Sequence, residues 1–295
     1  MRYFVHLAYN GKNYCGWQIQ DQAPTLQSEL EHAFSVLLKT PVSLTGAGRT
    51  DTGVHAKNFY AHFDMPDAID MSLEQLTYKL NAFLPQDIVI YRIFPVKEEA
   101  HARFDAISRT YRYYVSLKKN PFHNEFYYRY YLPLDIETMN RCCQKMMQYT
   151  DFTSFSKLHT QTKTNNCTIY HAQWVRIDDE SLYFEITANR FLRNMVRAIV
   201  GTLLDVGSGK ITEEDFCRII EQKNRCSAGT SVPANALFFG RDKISGRFLI
   251  KKSDLKSLFL LVPKTRFELA RGNPHHPLKV ACLPIPPPGH FQLQR

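Results

Sequence analysis

The sequence lacks any apolar run long enough to cross a membrane, since no stretch of about 18 apolar residues occurs. Its N-terminus also lacks the unbroken apolar segment and the small-residue cleavage site of a signal peptide. The seven cysteines are an odd number and include no C-x-x-C pair. These absences argue against a disulfide framework and a zinc site, and predict a soluble protein of the reducing cytoplasm, without metal or membrane segment.

Positive charge is concentrated toward the end of the chain. The net charge is +9 at pH 7, but from Pro263 onward five Lys or Arg residues accompany a single acid, Glu268. The preceding residues therefore carry a smaller positive excess. Such a balance is compatible with a polyanionic partner without identifying one, so the positions of individual arginines matter more than their number.

The length of 295 residues exceeds the size at which one hydrophobic core usually stops growing, and so predicts two domains. We place them at residues 1–104 and 105–262. Residues 263–295 hold seven of the fifteen prolines and show no periodic pattern. We expect this tail to be disordered or extraneous to the fold.

Apolar periodicity divides the chain into two similar passes of strands and helices. The predicted strands are residues 2–9, 58–64, 87–94, 109–117, 169–177 and 181–188. The predicted helices are residues 25–39, 72–83, 135–148 and 191–206, with a short one opening at Thr212 and Asp215. Ser72 and Gln75 form a capping box at the start of the second of these helices. Two such passes indicate an α+β fold of two related domains, with mainly antiparallel sheets flanked by helices.

The most informative segment is GAGRTDTGVHA, residues 46–56. Three glycines and two threonines in so short a span do not fit a helix interior or a central strand. The segment therefore predicts a loop held close to another surface. Its single carboxylate, Asp51, follows Arg49 and lies four positions before His55, which makes it a candidate for chemistry.

Other interpretations of this segment compete. The simplest is a structural turn with an exposed Asp51. A phosphate-binding loop is disfavoured, because G-x-x-x-x-G-K-[ST] is absent and the glycine spacing misses the third glycine of the dinucleotide fingerprint. Residues 51–53 also form the D-T-G tripeptide of aspartic proteases. However, no second D-[ST]-G exists, and the cation at Arg49 opposes the shared proton that such an acid pair requires.

Five further blocks accompany this segment. They are YNGKNYCGWQIQ (9–20), HARFDAISRTYRY (101–113), DFTSFSK (151–157), NRFLRNMVRAIVG (189–201) and VPANALFF (232–239). In this order and combination they resemble the tRNA pseudouridine synthase A (TruA) family, whose signature is A-G-R-T-D-x-G-V-H. Asn10 departs from the family, which usually has Asp there. The resemblance covers roughly residues 1–250 and fades by about residue 262.

The resemblance implies an enzyme that isomerises uridine to pseudouridine at positions 38, 39 and 40 of the tRNA anticodon stem-loop. It also implies a homodimer whose subunits together bind one tRNA, and two related α+β domains around a basic central cleft. Members of the family need no cofactor. The expected partners are therefore tRNA and a second copy of the chain.

Carried over by motif, the resemblance makes Asp51 the catalytic nucleophile. The reaction cuts the base from C1′ of its ribose and rejoins it through C5, and a carboxylate can attack C1′ or C6, or remove a proton. A carboxylate that stays ionised in a partly dry pocket needs a nearby cation. Arg197 is the first candidate for this catalytic partner and Arg49 the second.

The resemblance makes Tyr111 the residue that packs against the target base. Tyr111 lies in a strand rich in tyrosine and arginine, so both core packing and a stacking platform for an unstacked base remain open.

The remaining candidates are arginines. Arg190, Arg193 and Arg197 recur at i, i+3 and i+7, and predict a basic stripe along helix 191–206. This stripe is either a solvated face, or it places Arg197 in the cleft and leaves the other two for phosphates. In the HARF block, His101 and Arg103 are loop anchors or RNA contacts, and we favour RNA contact for Arg103 alone. A non-catalytic RNA-binding module and a dimeric aspartic protease are the alternative functions.

Overall fold

A computed structural model describes residues 1–157 and 164–244 of the chain. The strands are β1 (Arg2–Tyr9), β2 (Thr45–Gly46), β3 (His55–Asp64), β4 (Ile88–Val96), β5 (Ala106–Ser116), β6 (Tyr128–Arg129), β7 (Ile169–Arg176), β8 (Ser181–Ala188) and β9 (Leu237–Ile244). The helices are α1 (Leu26–Leu38), α2 (Leu73–Phe83), α3 (Ile136–Met146), α4 (Met195–Gly207) and α5 (Glu213–Glu221). Each strand and helix predicted from periodicity has a counterpart here. The predicted tail, residues 263–295, lies outside the described residues.

The nine strands of the described chain form one sheet. Its order is β4-β1-β3-β9-β5-β8-β7, with β2 beside β3 and β6 beside β5. All neighbours pair antiparallel except β3 with β9 and β5 with β6. The predicted α+β class with a mainly antiparallel sheet is therefore confirmed. Across the same residues, no helix is long and apolar enough to span a membrane.

The two passes of the sequence form the two halves of this sheet. Strands β1, β3 and β4 make up one half and strands β5, β7 and β8 the other. The last of the described strands, β9, lies between β3 and β5. The pairing of β3 with β9 is short, joining His55 to Phe238 and Ala56 to Phe239. The predicted domain boundary at residue 104 falls between β4 and β5, and the division into domains stays a prediction.

Each half has a hydrophobic core covered by its own helices. In the first half, alternate side chains of β1 pack with apolar residues of α1 and α2. In the second half, α3, α4 and α5 cover β5, β7 and β8, and α4 is buried along almost its whole length. Tyr111 of β5 packs against both cores and so lies where the halves meet.

Side-chain caps fix where several helices begin. The hydroxyl of Ser72 accepts a hydrogen bond from the backbone N–H of Gln75, and the side-chain Oε1 of Gln75 accepts one from the backbone N–H of Ser72. This is the capping box that the sequence predicts for α2. Thr212 and Asp215 form the same reciprocal pair at the start of α5. Each cap satisfies N–H groups that the first turn of a helix leaves unpaired.

The helix predicted at residues 191–206 begins only at Met195. Asn194 has a left-handed backbone, with a φ of 67°, which a right-handed helix cannot include. This conformation is held from outside, because the Asn194 side chain donates to the Ser231 hydroxyl at 2.5 Å and the Arg193 carbonyl accepts the N–H of Lys157. The predicted basic stripe along one helix is therefore wrong, since Arg190 and Arg193 precede the helix and Arg197 lies on it.

Candidate active site

The segment GAGRTDTGVHA is a loop over residues 47–54 only. Thr45 and Gly46 form β2, which pairs with β3, and His55 and Ala56 already belong to β3. The prediction of a loop is therefore correct for Asp51 and its neighbours but not for the two ends of the segment. The strands on either side fix the two ends of the loop.

The block at residues 9–20 holds this loop in place. The Tyr9 hydroxyl lies 3.0 Å from the Thr50 hydroxyl, and the backbone N–H of Trp17 donates to the Thr50 carbonyl at 3.2 Å. Gly16, with a φ of 88°, lies so close that a Cβ there would stand 2.4 Å from the same carbonyl oxygen. Only glycine fits both this backbone angle and this close approach. The block thus determines the position of the residue directly before Asp51.

His55 fastens the other end of the loop. Its Nδ1 accepts the backbone N–H of Gly11 at 3.0 Å, so Nε2 carries the proton and donates to the Asn235 carbonyl at 2.8 Å. Burial lowers the pKa of His55 and favours this neutral form. Its ring also stacks on Phe238, with centroids 4.7 Å apart. His55 therefore links the loop to the block at residues 232–239.

Two arginines flank the Asp51 carboxylate. Arg193 Nε lies 3.7 Å from one carboxylate oxygen, and Arg197 Nη1 lies 3.9 Å from the other. The structure thus places Arg197 where the sequence analysis expects it. Arg49, the second candidate, forms no ion pair with Asp51 among the described residues, and Arg193 takes that place instead. The Asp51 side chain keeps 29% of its surface exposed, so a ligand can reach it.

Arg197 is oriented by the block at residues 232–239. Its Nε donates to the Val232 carbonyl at 2.7 Å, and the Val232 N–H donates to the Arg197 carbonyl at 3.2 Å. With Nε committed to a backbone acceptor, the terminal nitrogens are directed toward Asp51. This role of the block was not predicted from the sequence. Arg197 and the block at residues 232–239 are both recognisable in the sequence, but only the fold shows that they are in contact.

Tyr111 lies half-buried on β5 between aromatic residues of both halves. Its ring is edge-on to Phe191 at 5.1 Å and edge-on to Phe239 at 5.0 Å, measured between centroids. These contacts agree with the core-packing interpretation for part of the ring. Its role against a target base stays a prediction.

Arg49 and Arg103 are exposed and lie in a group with two other arginines. Partial burial lowers the pKa of Arg103, and the positive charges of Arg49, Arg109 and Arg190 lower it further. His101 serves as a loop anchor, because its Nδ1 accepts the backbone N–H groups of residues 103 and 104. RNA contact by Arg103 stays a prediction.

Comparison of the sequence with known proteins identifies the family to which the chain belongs. Residues 148–241 match a family model described as tRNA pseudouridine synthase. The chain is 56% identical over 237 residues to tRNA pseudouridine synthase A of Parabacteroides distasonis, covering 80% of this chain and 93% of that protein. The chain belongs to the tRNA pseudouridine synthase A family.

The chain also matches other members of the tRNA pseudouridine synthase A family. The synthase A of Bacteroides thetaiotaomicron is 54% identical over 80% of this chain and 88% of its own length, and that of Bacillus subtilis is 37% identical over 81% and 97%. Among solved structures, a Cbf5-Nop10-Gar1 complex matches with a TM-score of 0.30 and 11% identity, covering 80% of this chain and 57% of that one. This structural similarity is too low to support the assignment to the family, which rests on the relatives found by sequence.

Proposed function

We propose that this chain isomerises uridine to pseudouridine at positions 38, 39 and 40 of the tRNA anticodon stem-loop, with Asp51 as the nucleophile. The names of its relatives and the resemblance of its six blocks support the reaction and the substrate. The observation that carries the assignment of Asp51 is its setting. It is a partly exposed carboxylate, flanked by two guanidinium groups, on a loop anchored from both halves of the sheet.

The proposed chemistry needs only groups of this kind. The bond from C1′ to N1 breaks, the base turns, and a bond from C1′ to C5 forms. N1 then carries a proton and C5 loses one, so the product is an isomer and no oxidant or reductant is consumed. A carboxylate can attack and then leave again. Arg193 and Arg197 supply positive charge beside it, and the bond from Arg197 to the Val232 carbonyl orients that guanidinium before the reaction begins.

The target uridine has to leave its stack to reach such a site. Tyr111 is our proposed contact for the extruded base, because its ring lies at the junction of the two halves. The exposed Arg193 and Arg103 are our proposed contacts to the RNA. We further propose that the protein acts as a homodimer in the cytoplasm, with each tRNA bound by both subunits. The resemblance stated above supports the homodimer and its shared tRNA, and the odd number of scattered cysteines supports the cytoplasm.

The charges around Asp51 disfavour the aspartic protease. That mechanism needs a second carboxylate sharing a proton with Asp51. The two charged groups within 4 Å of Asp51 in the described chain are both cations.

Incubation with unmodified tRNA tests the proposed function. We expect pseudouridine at positions 38, 39 or 40 when the RNA is mapped nucleotide by nucleotide after treatment with the wild-type chain. The Asp51→Asn variant is the matched control, because it keeps the shape of the side chain and removes its charge. A chain that binds tRNA without forming pseudouridine is the non-catalytic RNA-binding module. A chain that neither binds nor modifies tRNA contradicts the proposal altogether.

A further inference from the structure

Arg109, on β5, joins the loop that carries Asp51 to two other loops. Its Nη2 donates to the carbonyl of Ala47 at 3.0 Å and to the carbonyl of Arg103 at 2.6 Å. Its Nη1 donates to the carbonyl of Asn189 at 3.0 Å. One planar guanidinium therefore holds together the loop that carries Asp51, the HARF block and the segment that leads into α4. An arginine is suited to this position because its fork offers several donors in fixed directions.

Each of these three loops carries one further arginine close to the carbonyl that Arg109 binds. They are Arg49, Arg103 and Arg190. Among the described residues, none of these three guanidinium groups forms an ion pair with a carboxylate. The positive charges of Arg49 and Arg190 both lower the pKa of Arg103, so each of the two lies within electrostatic reach of Arg103.

Cations gathered without carboxylates at ion-pair distance repel each other unless an anion binds among them. The fold keeps these three together by bonding their backbones to one point while leaving their side chains without carboxylate partners. Arginine forks match the oxygens of a phosphate and form the stronger, charge-assisted hydrogen bonds. The cluster therefore has the properties of a phosphate-binding site.

We propose that Arg49, Arg103 and Arg190 together bind a single backbone phosphate of the RNA, and that Arg109 is the positioning residue of this site. The proposal rests on the proposed function, because it concerns the same cleft. Arg49 is two residues from Asp51 and Arg190 is three from Arg193, so the bound phosphate belongs to the RNA close to the target uridine. A contact of this kind sets the register of the RNA without reading its sequence.

A scan of single neutral linkages tests the proposal. One phosphate at a time in a full-length tRNA is replaced by an uncharged methylphosphonate along the anticodon stem-loop, and equilibrium binding is measured. For the wild-type chain we expect one linkage whose replacement weakens binding by about tenfold. In the Arg190→Gln variant the same replacement should lower the binding affinity at most about twofold, because the guanidinium that binds this phosphate has already been removed. Arg49→Gln and Arg103→Gln should show the same coupling to the same linkage.

An arginine outside the cluster provides the matched control. Arg176→Gln, at the exposed end of the edge strand β7, should leave the cost of every replacement unchanged. In addition, each cluster variant should reduce the slope of log affinity against log salt by up to about one, the contribution of one phosphate contact. Coupling at no linkage, or coupling of the three arginines to different linkages, overturns the proposal.

The role of Arg109 has a readout of its own. Arg109→Lys keeps the charge but cannot reach three carbonyls at once, so we expect weaker coupling of all three arginines to that linkage in a chain that still folds. Should Arg109→Lys not fold, the three single variants still decide the proposal. Failure of the proposed function is seen separately: pseudouridine without coupling overturns the phosphate site, whereas coupling without pseudouridine overturns the enzyme.

Discussion

Gly16 lies directly against the carbonyl of Thr50, so close that a Cβ at position 16 would stand 2.4 Å from the Thr50 oxygen. Thr50 precedes Asp51, and the Trp17 N–H donates to that same oxygen. The position of the carboxylate is thereby determined by a segment more than thirty residues earlier in the chain. This relationship makes the geometry of the site testable without altering any residue that we propose to contact the RNA.

We expect Gly16→Ala to push the loop away and to lower kcat on the order of 100-fold, because small displacements of a catalytic group are costly. The positive φ and the close contact should together lower the free energy of unfolding by about 2–3 kcal/mol. Gly48→Ala, in the same loop, is the control for stability. No atom lies within 4 Å of its added Cβ, so we expect a change below about 1 kcal/mol. Denaturant unfolding and steady-state kinetics measure both effects. Equal behaviour of the two variants would show that Gly16 does not set the loop.

Asp51→Asn and Asp51→Ala should abolish turnover while tRNA affinity stays nearly intact. The carboxylate acts on the transition state, whereas contacts to phosphates dominate binding. Single-turnover assays and filter binding on the same preparations check this. Turnover above about a tenth of wild type would remove Asp51 as the nucleophile.

Arg197→Ala should lose both turnover and stability, whereas Arg193→Ala should mainly lose turnover. The Arg197 side chain is 23% exposed and bonds the Val232 carbonyl, so its removal leaves a part-buried acceptor unpaired, at a cost of about 1–3 kcal/mol. The Arg193 side chain is 61% exposed, where water screens its charge. Arg197→Lys should fall between wild type and Arg197→Ala in rate. Thermal unfolding and kcat distinguish these cases. An Arg197→Ala protein with normal stability would contradict the described anchoring.

Acid should destabilise the fold through His62, which is buried and accepts the Ala102 N–H on Nδ1. Burial lowers its pKa to about 4, and the positive charges of Arg2 and His101 act in the same direction. Above about pH 6.5, His62 is neutral in both the folded and the unfolded state. Between pH 6.5 and 4 only the unfolded state binds the proton, so the free energy of unfolding falls by a total of about 3 kcal/mol.

His62→Asn isolates this contribution, because its Oδ1 can accept the same N–H but does not titrate. The variant should lose less stability than wild type between pH 6.5 and 4, as measured by denaturant unfolding at each pH. Other groups titrate in this range but are common to both proteins. Parallel curves for the two proteins would exclude His62 as the source.

Binding of tRNA should weaken steeply with salt, since arginines and lysines displace counterions condensed on the RNA. With six or more phosphate contacts, the slope of log affinity against log salt should be about −4 or steeper. Titrations at several salt concentrations give this slope. A flat response would be incompatible with an RNA-binding cleft.

Local patterns predicted the five helices and six of the nine described strands, but not β2, β6 or the central β9. The reciprocal cap of Ser72 and Gln75, and that of Thr212 and Asp215, were visible because capping depends on residues three apart. The start of α4 was missed because the left-handed Asn194 is held by Ser231 and Lys157, which are remote in sequence. Periodicity carries no information on such contacts, and the same error placed Arg190 and Arg193 on a helix.

The candidate site was foreseen in its residue types but not in its connections. Asp51 and Arg197 were singled out, and the fold brings them to 3.9 Å. Arg193, predicted as a contact to RNA, is also one of the two cations beside Asp51, whereas Arg49, the second candidate for that place, forms no ion pair with Asp51 among the described residues. These assignments depend on which loops meet in space. Arg109 brings three of these loops together by hydrogen bonds to backbone carbonyls. Every residue type has such a carbonyl, so the sequence does not reveal which residues accept these bonds.

The central place of β9 has a consequence for synthesis. It is the last of the described strands, yet it lies between β3 and β5, and the Asn58 side chain donates to its Gly240 carbonyl across 182 positions of sequence. Until β9 leaves the ribosome, β3 and β5 each have one edge that is paired only briefly, by β2 and β6, and the rest of that edge can join another chain. Until then the Asn235 carbonyl that receives His55 is also missing. We therefore expect the nascent chain to acquire its anchored Asp51 loop only after both halves have formed, and to be most prone to self-association just before then.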